Sequence, residues 1–507
     1  MDKTIAFILY FVVVLGIGIY FFLKSKGGDE KEYFLGGRSM GPFVTAMSAQ
    51  ASDMSGWLLM GFPGSIIAFG MGQVWIGIGL ALGTALNWIL VATRLRRFSK
   101  ASNDSITLPQ YLTNRFASKS PVLKVVCAII FLISFTIYVA SAFNAGTAVF
   151  SDVIPWFADH QELAMLFFAA LILVYTFLGG YKAVCWTDFF QGLMMLVALL
   201  AVPIVMKAAG DFDVSKYEAF KEGVDAFGTN PFAASWQEIV TGLGWGLGYF
   251  GMPHILVRFM SIKKASMIKK SATVAIIWVV LTLGAAIVIA YLGRTFIMQD
   301  GTALADLLLP DDRKLIFIKV VGDIFPGFIA GLLLSAIIAA AMSTADSQLL
   351  VASSAFTSDI YKPLIRKDKA SEKEMLWVGR IVVLVVAVIA FFIARTGLDN
   401  PTSWANDIMN MVENAWGLFG ASFGPVVILS LFWKRFNYPG AVAGIIAGAI
   451  ADIAWLMALT ASTGVYEIVP GFIVGLIVSV VVTLATKAPS QEVIDIYNTA
   501  VNTSIDD

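Results

Sequence analysis

Thirteen apolar stretches of about twenty residues each recur along this chain, and that is the length a helix needs to cross about 30 Å of hydrocarbon. They fall at 4–23, 41–69, 74–93, 122–149, 161–178, 186–206, 235–257, 271–293, 327–354, 376–394, 405–433, 439–459 and 467–486. Charges rarely interrupt them: 14% of all residues are charged, against about 25% in soluble domains. Such a chain folds as a bundle of membrane-crossing helices, because a helix satisfies its own backbone groups where no water is at hand. The expected class is therefore an all-α polytopic membrane protein. The first stretch reads as a retained span rather than a secretory leader, since Asp2 precedes it and no small-residue cleavage site comes before Lys24.

Orientation follows from the basic residues. Of the 35 Lys and Arg, 26 fall in alternate connections and only nine on the opposite side, so the richer face is cytoplasmic. With thirteen spans the N-terminus then lies outside and the C-terminus inside. The acidic loops 207–234 and 294–326 face outward, and amphipathic stretches at 303–310 and 314–325 are expected to cover the outer opening as a lid. Residues 488–507 read as a polar cytoplasmic tail. Acidic and basic residues balance at 35 each, which gives no reason to expect a nucleic-acid partner. Cys127 and Cys185 form no spaced cluster and read as packing residues, and His160 and His254 have no metal-ligand spacing.

Two stretches carry signs of discontinuity. The second contains Ala51-Ser52-Asp53-Met54-Ser55-Gly56 and then Gly61-Phe62-Pro63-Gly64; the seventh runs from Gly242 to Pro253 with glycine at every second position up to Gly248. Glycine weakens a helix and proline removes a donor, so clusters at membrane depth predict unwound backbone whose carbonyls need protein, water or an ion. Broken spans five apart are the spacing of an inverted-topology repeat with its binding site near the midplane. Asp53 sits inside the second stretch, where a carboxylate is costly, and is either the carboxylate of a site for a small hard cation, with the hydroxyls of Ser52 and Ser55, or an N-cap for the second half-helix. In the ninth, Ser343 and Ser347 share a helical face with Thr344 alongside, and Asp346 adds a carboxylate. Asp188 opens the sixth stretch, where a capping role is the plain reading.

These residues resemble the sodium/solute symporter family. The likeness rests on Ala51 to Trp57, Tyr175 to Gly180, Ala183 to Asp188, Gly248 to His254 and Ala340 to Thr344, and extends over essentially the whole chain. It implies a LeuT-type core of two inverted five-helix repeats, with one extra N-terminal and two extra C-terminal helices. The expected division is 1–40 as the extra helix and cytoplasmic loop, 41–208 as the first repeat, 209–234 as an outer loop, 235–435 as the second repeat, 436–487 as the last two helices and 488–507 as the tail.

The resemblance also implies function and site. Sodium is the expected coupling ion, held by the carbonyls of Ala51, Met54 and Ala340 and the hydroxyls of Ser343 and Thr344, with Asp53 biasing the site electrostatically. A second sodium position would draw on Asp188, Ser343 and Ser347, with Asp346 an extra carboxylate able to change the ion count or admit protons. The solute pocket is expected to use Ser55, Gly56, Trp57, Tyr138, Trp245, Tyr249 and Pro253, and Arg38 is a candidate inner-gate residue, read alternatively as a positive-inside anchor. The expected solute is L-proline, taken up through a bacterial inner membrane by alternating access; another small amino acid or carboxylate, carried with sodium or protons, is the alternative. No organic cofactor or obligate protein partner is expected. Enzyme, channel and receptor are disfavoured, since no catalytic constellation, repeated filter or appended signalling domain is present in the sequence.

Overall fold

The computed structural model describes residues 2–24, 30–209, 230–299, 313–367, 369–400 and 403–502. Among them, ten helices are long and apolar enough to cross a membrane, matching the first, third, fourth, sixth and eighth to thirteenth stretches. The fifth appears as the shorter apolar helix Gln161–Phe177, and the second and seventh are each divided into pieces. The chain is a multi-pass, nearly all-helical membrane protein; a lone bridge between Met40 and Ile262 is the β-pairing among the described residues. The 303–310 part of the expected lid lies outside the described residues, whereas Ile316–Ile324 is a helix with Phe317, Val320 and Val321 buried.

The two breaks are tighter than the glycine and proline clusters suggested. In the second span a helix Pro42–Asp53 stops at Met54, whose φ of −83° and ψ of 20° leave the helical region, and helical structure resumes almost at once. The Gly61–Gly64 cluster does not unwind. A widened turn, Trp57–Gly61, leads into the helix Phe62–Phe69, and widening there makes room for the Pro63 ring against the preceding turn. In the seventh span a capping box of Ser235 and Glu238 starts the helix Trp236–Gly244, which tightens to 3₁₀ over Trp245–Phe250. It breaks at Gly251 and Met252 and restarts at Pro253–Ser261, with Pro253 in the first turn where its missing donor costs nothing.

Two connections differ from expectation. The fifth and sixth stretches have no loop at 179–185; they form one helical run, Gln161–Ala209, bent at Gly180, whose φ of 57° and ψ of 178° suit a residue without Cβ. The end of the chain is also more than a polar tail, because Gln491–Asn502 is an amphipathic helix with Val493 and Ala500 buried. Arg115 donates to the Val493 carbonyl at 3.2 Å, and Tyr497 packs edge-on to Phe98 at 5.3 Å, so this helix closes over the basic face of the bundle.

Lipid tails are as apolar as leucine, so membrane helices are held together mainly by close backbone approach. The third and seventh spans meet glycine on glycine. A Cβ built on Gly79 or Gly83 would collide with the backbone of Gly242 or Gly246. This contact carries the seventh span's break at a fixed height against an unbroken neighbour. Replacing Gly83 by Ala is expected to cost about 1–3 kcal/mol by overpacking and to lower the melting temperature of the detergent-purified protein. Gly284→Ala, whose Cβ would meet nothing within 4 Å, is the control and should melt like the parent. Equal melting of all three would remove the glycine contact from the account.

Candidate functional site

Where the second span stops at Met54, the carbonyls of its last turn lose their helical donors and must be satisfied from elsewhere. The neighbours supply hydroxyls. Ser343 of the ninth span donates to the Ala51 carbonyl at 2.9 Å and lies 3.2 Å from the Ala340 carbonyl. Tyr138 of the fourth span donates to the Asp53 carbonyl at 3.2 Å. Tyr249 of the seventh span donates to the Asp53 carboxylate at 2.6 Å. Four spans thus converge on one break.

This is where three of the five expected sodium ligands come together: Ala51, Ala340 and Ser343. Met54 sits at the break itself and is buried, and the fully buried Thr344 hydroxyl has no hydrogen-bond partner. Carbonyl and hydroxyl oxygens with one orphaned hydroxyl are the donor chemistry a hard monovalent cation uses. Asp53 ends the helix Pro42–Asp53 rather than capping the next one, and past the break Ser55 accepts from the Trp57 backbone N–H at 3.1 Å.

Aromatic rings cluster beside the break. Trp57 stacks on Phe62 at 5.0 Å and lies 5.4 Å from Trp245, and Trp245 in turn lies 5.3 Å from Tyr466. Trp416 donates its indole N–H to the Trp245 carbonyl at 2.8 Å and meets Tyr249 edge-on at 5.1 Å. The Trp245 indole nitrogen is buried without a partner, a donor left over for a guest. Trp416 comes from the eleventh span and Tyr466 from the connection leading into the thirteenth, and nothing local in the sequence pointed to them. Gly56 acts by close approach: a Cβ there would come within 2.6 Å of the Ala145 Cβ.

A second buried cluster lies one helical turn and more toward the basic face. Asp188 is no cap. It is wholly buried within the long run Gln161–Ala209 and pairs with Arg258 at 3.2 Å, while Ser48 donates to the same carboxylate oxygen at 2.7 Å. Arg258 also donates to Ser347, to Ser48 at 3.2 Å and to the His254 carbonyl at 2.8 Å. The cation beside Asp188 and Ser347 is therefore an arginine of the seventh span, one that the sequence reading counted among the cytoplasmic loop charges. Both carboxylate oxygens of Asp346 are buried without a hydrogen-bond donor, as are Asp188 Oδ1 and Gln191 Oε1.

Arg38 is buried in a clasp on the basic face. It donates to Asp104 at 2.8 Å, to Ser99 at 3.2 Å, to the Ser105 carbonyl at 2.8 Å and to the Met260 carbonyl, joining the approach to the second span to the ends of the third and seventh. Met40 pairs with Ser261 and Lys263 beside it. Burial works to raise the Asp104 carboxyl, but Lys31 and Arg38 outweigh it and hold the group below the usual carboxylate range. The clasp's contribution is thus complete above the ordinary carboxylate pKa and fades only as pH falls through the lowered value. On the other face a cavity of about 570 Å³, lined by Asn144, Asp152, Gln161, Lys314 and Asn406, reaches Asn144, the chain neighbour of the Ala145 that packs on Gly56.

Comparison with known proteins bears on the family and the fold. The model of the sodium:solute symporter family matches residues 33–448. A sodium/proline symporter of Escherichia coli is 44% identical over 491 residues, covering 96% of this chain and 93% of its own. An osmoregulated proline transporter of Bacillus subtilis is 41% identical, covering 95% and 94%. Among solved structures, a sodium-coupled sialic acid symporter in a substrate-bound, outward-open state superposes with a TM-score of 0.75 at 21% identity, over 97% of this chain and 99% of that one. MhsT in complex with L-phenylalanine gives a TM-score of 0.53 at 14% identity, over 87% and 98%. These likenesses place the fold with the LeuT-type transporters.

Removing one member of a buried ion pair leaves the other uncompensated and costs about 3–5 kcal/mol. Arg258→Met is accordingly expected to depress thermal stability and folded yield more than Asp188→Asn, because Asp346 and Asp188 then both lack a cation. Combined with Asp188→Asn, the arginine substitution should destabilise by less than the sum of the two single changes. Strictly additive losses in a thermal-unfolding cycle would mean the pair does not brace the sixth span against the seventh.

Proposed function

Because the chain belongs to the sodium:solute symporter family, we propose that it is a sodium-coupled L-proline symporter, working by alternating access in a bacterial inner membrane. The reading is supported by the curated relatives, which are proline transporters at 41–44% identity over nearly the full chain. The single observation that carries the mechanism is the break at Met54, where the second and ninth spans are joined through Ser343, Ala51 and Ala340 beside an unpartnered Thr344 hydroxyl.

In this reading sodium is bound by the carbonyls of Ala51, Met54 and Ala340 and the hydroxyls of Ser343 and Thr344. Its charge offsets that of Asp53, which Tyr249 keeps in place. The same tyrosine belongs to the solute wall, so ordering the break also orders the pocket. Trp57, Trp245 and Tyr249 meet the apolar ring of proline, and Ser55, Tyr138, the Trp245 indole and the backbone near Gly56 and Pro253 offer the polar contacts its carboxylate needs. Asp188, Arg258 and Ser347 act as a brace rather than a second sodium position, and a single ion is assigned.

We read the second and ninth spans as facing members of two repeats, 41–208 and 235–435, and count the divided second and seventh spans and the short fifth among thirteen crossings. Basic residues put the C-terminus in the cytoplasm, the Arg38 clasp closing that side and the 570 Å³ cavity opening the other. One sodium ion crossing about 100 mV releases about 2.3 kcal/mol, and a tenfold gradient adds about 1.4, enough for several-hundredfold accumulation of a neutral zwitterion.

Uptake of labelled proline into proteoliposomes, with sodium, lithium or potassium outside, is the test. Uptake should require sodium and be competed by unlabelled proline better than by other amino acids; indifference to sodium would sink the coupling. Thr344→Ala is expected to raise the half-saturating sodium concentration about tenfold, the worth of one lost ligand, and Asp53→Asn should move it the same way. Trp245→Ala should instead raise the KM for proline at saturating sodium. If the Thr344 variant kept the parent's sodium dependence, the ligand assignment would be wrong.

A further inference from the structure

An apolar groove of about 620 Å³ lies on the lipid-facing side of the bundle where the second, sixth and eighth spans meet. Phe43, Leu193, Ile277 and Leu281 line it and are each 42–56% exposed, with Met47 and Trp278 deeper. Its mouth is at Pro42 and Phe43, on the face rich in basic residues. There the connection between the seventh and eighth spans places four exposed lysines, Lys263, Lys264, Lys269 and Lys270, and none of them has an ion-pair partner among the described residues. Lys270 lies 4.5 Å from the centre of the Phe43 ring, at the rim itself.

We propose that this groove binds one acyl chain of an anionic phospholipid of the cytoplasmic leaflet, with the headgroup phosphate held by the lysines at its mouth. The arrangement has the polarity of a lipid: hydrocarbon surface at membrane depth, then unpaired positive charge at the headgroup level, the pattern that recruits acidic headgroups between spans. A neutral lipid would fill the groove but leave the lysines unanswered, and a soluble anion would find the lysines but not the groove.

The position gives the lipid a role. Ser271 donates to the Pro42 carbonyl at 2.9 Å and Trp278 to the Gly192 carbonyl at 3.1 Å, so the eighth span grips both other walls. Gly192 in turn lies against Met47 and Ala51, where a Cβ would come within 3.0 and 3.2 Å. The occupant therefore rests behind the half-helix that ends in the ion site, and braces it against the sixth and eighth spans.

The test needs neither proline nor sodium. Delipidated full-length protein is mixed with phosphatidylglycerol or phosphatidylcholine of identical chains, and retained lipid is measured by native mass spectrometry. Phosphatidylglycerol should be retained about tenfold better, as one to two lysine contacts would give, and the preference should vanish in K263Q/K264Q/K269Q/K270Q. Ile277→Trp, at an exposed position where folding tolerates bulk, should lower phosphatidylglycerol retention severalfold by filling the groove. Equal retention of the two lipids by the parent, a preference that survives loss of the lysines, or retention unchanged by Ile277→Trp would each overturn the proposal.

Discussion

A helix that stops inside a membrane leaves carbonyls that no water can satisfy, and everything else in this structure is arranged around that debt at Met54. Ser343, Tyr138 and Tyr249 reach the break from three other spans. Ser343 and Tyr138 bond backbone carbonyls that an intact helix would have kept for itself, and Tyr249 holds the Asp53 carboxylate beside them. The join is therefore polar, local and reversible, unlike the glycine contact that fixes the third span to the seventh. In the proposed reading, a cation bound among these oxygens would take over the Ala51 carbonyl that the Ser343 hydroxyl now holds, so the ninth span's position would depend on whether the ion is present. In that reading, transport would follow from this dependence.

The charged layer below is built differently. Asp188, Arg258, Ser48 and Ser347 form a satisfied set on one side, while Asp346 and the free oxygen of Asp188 have no donor. A buried pair of this kind contributes little net stability but penalises every arrangement that separates it, so it specifies how the sixth and seventh spans sit together. The brace and the proposed ion site share the ninth span through Ser347 and Ser343, four residues and one turn apart.

Much of this was legible in the sequence because membrane helices announce themselves by length and composition. Ten continuous spans, both breaks, Asp53 and the Ser343 region were readable from apolar runs, glycine and proline placement and intramembrane polar residues. Arg258 was not, since it follows an apolar run by one residue and looks like the first charge of a basic loop; only the course of the half-helix Pro253–Ser261 carries it back inside. Trp416 and Tyr466 were hidden because their part in the aromatic cluster comes from segments far away in sequence. The Gly61–Gly64 cluster misled in the other direction: a widened turn absorbs Pro63 without unwinding. The bend at Gly180 was missed because the Gly179-Gly180 pair reads as a turn, and the docked helix Gln491–Asn502 because its apolar stripe of Val493, Ile496, Tyr497 and Ala500 is short and set in a polar tail.

Linkage supplies the most direct measurement of the central claim that one sodium ion ordering the break at Met54 completes the proline pocket. Equilibrium binding of labelled proline to the purified protein, with and without saturating sodium, gives one coupling factor; titrating sodium with and without saturating proline gives another. The account predicts that the two factors are equal, exceed unity and collapse together in Thr344→Ala. Proline binding of the same affinity in the absence of sodium would contradict it.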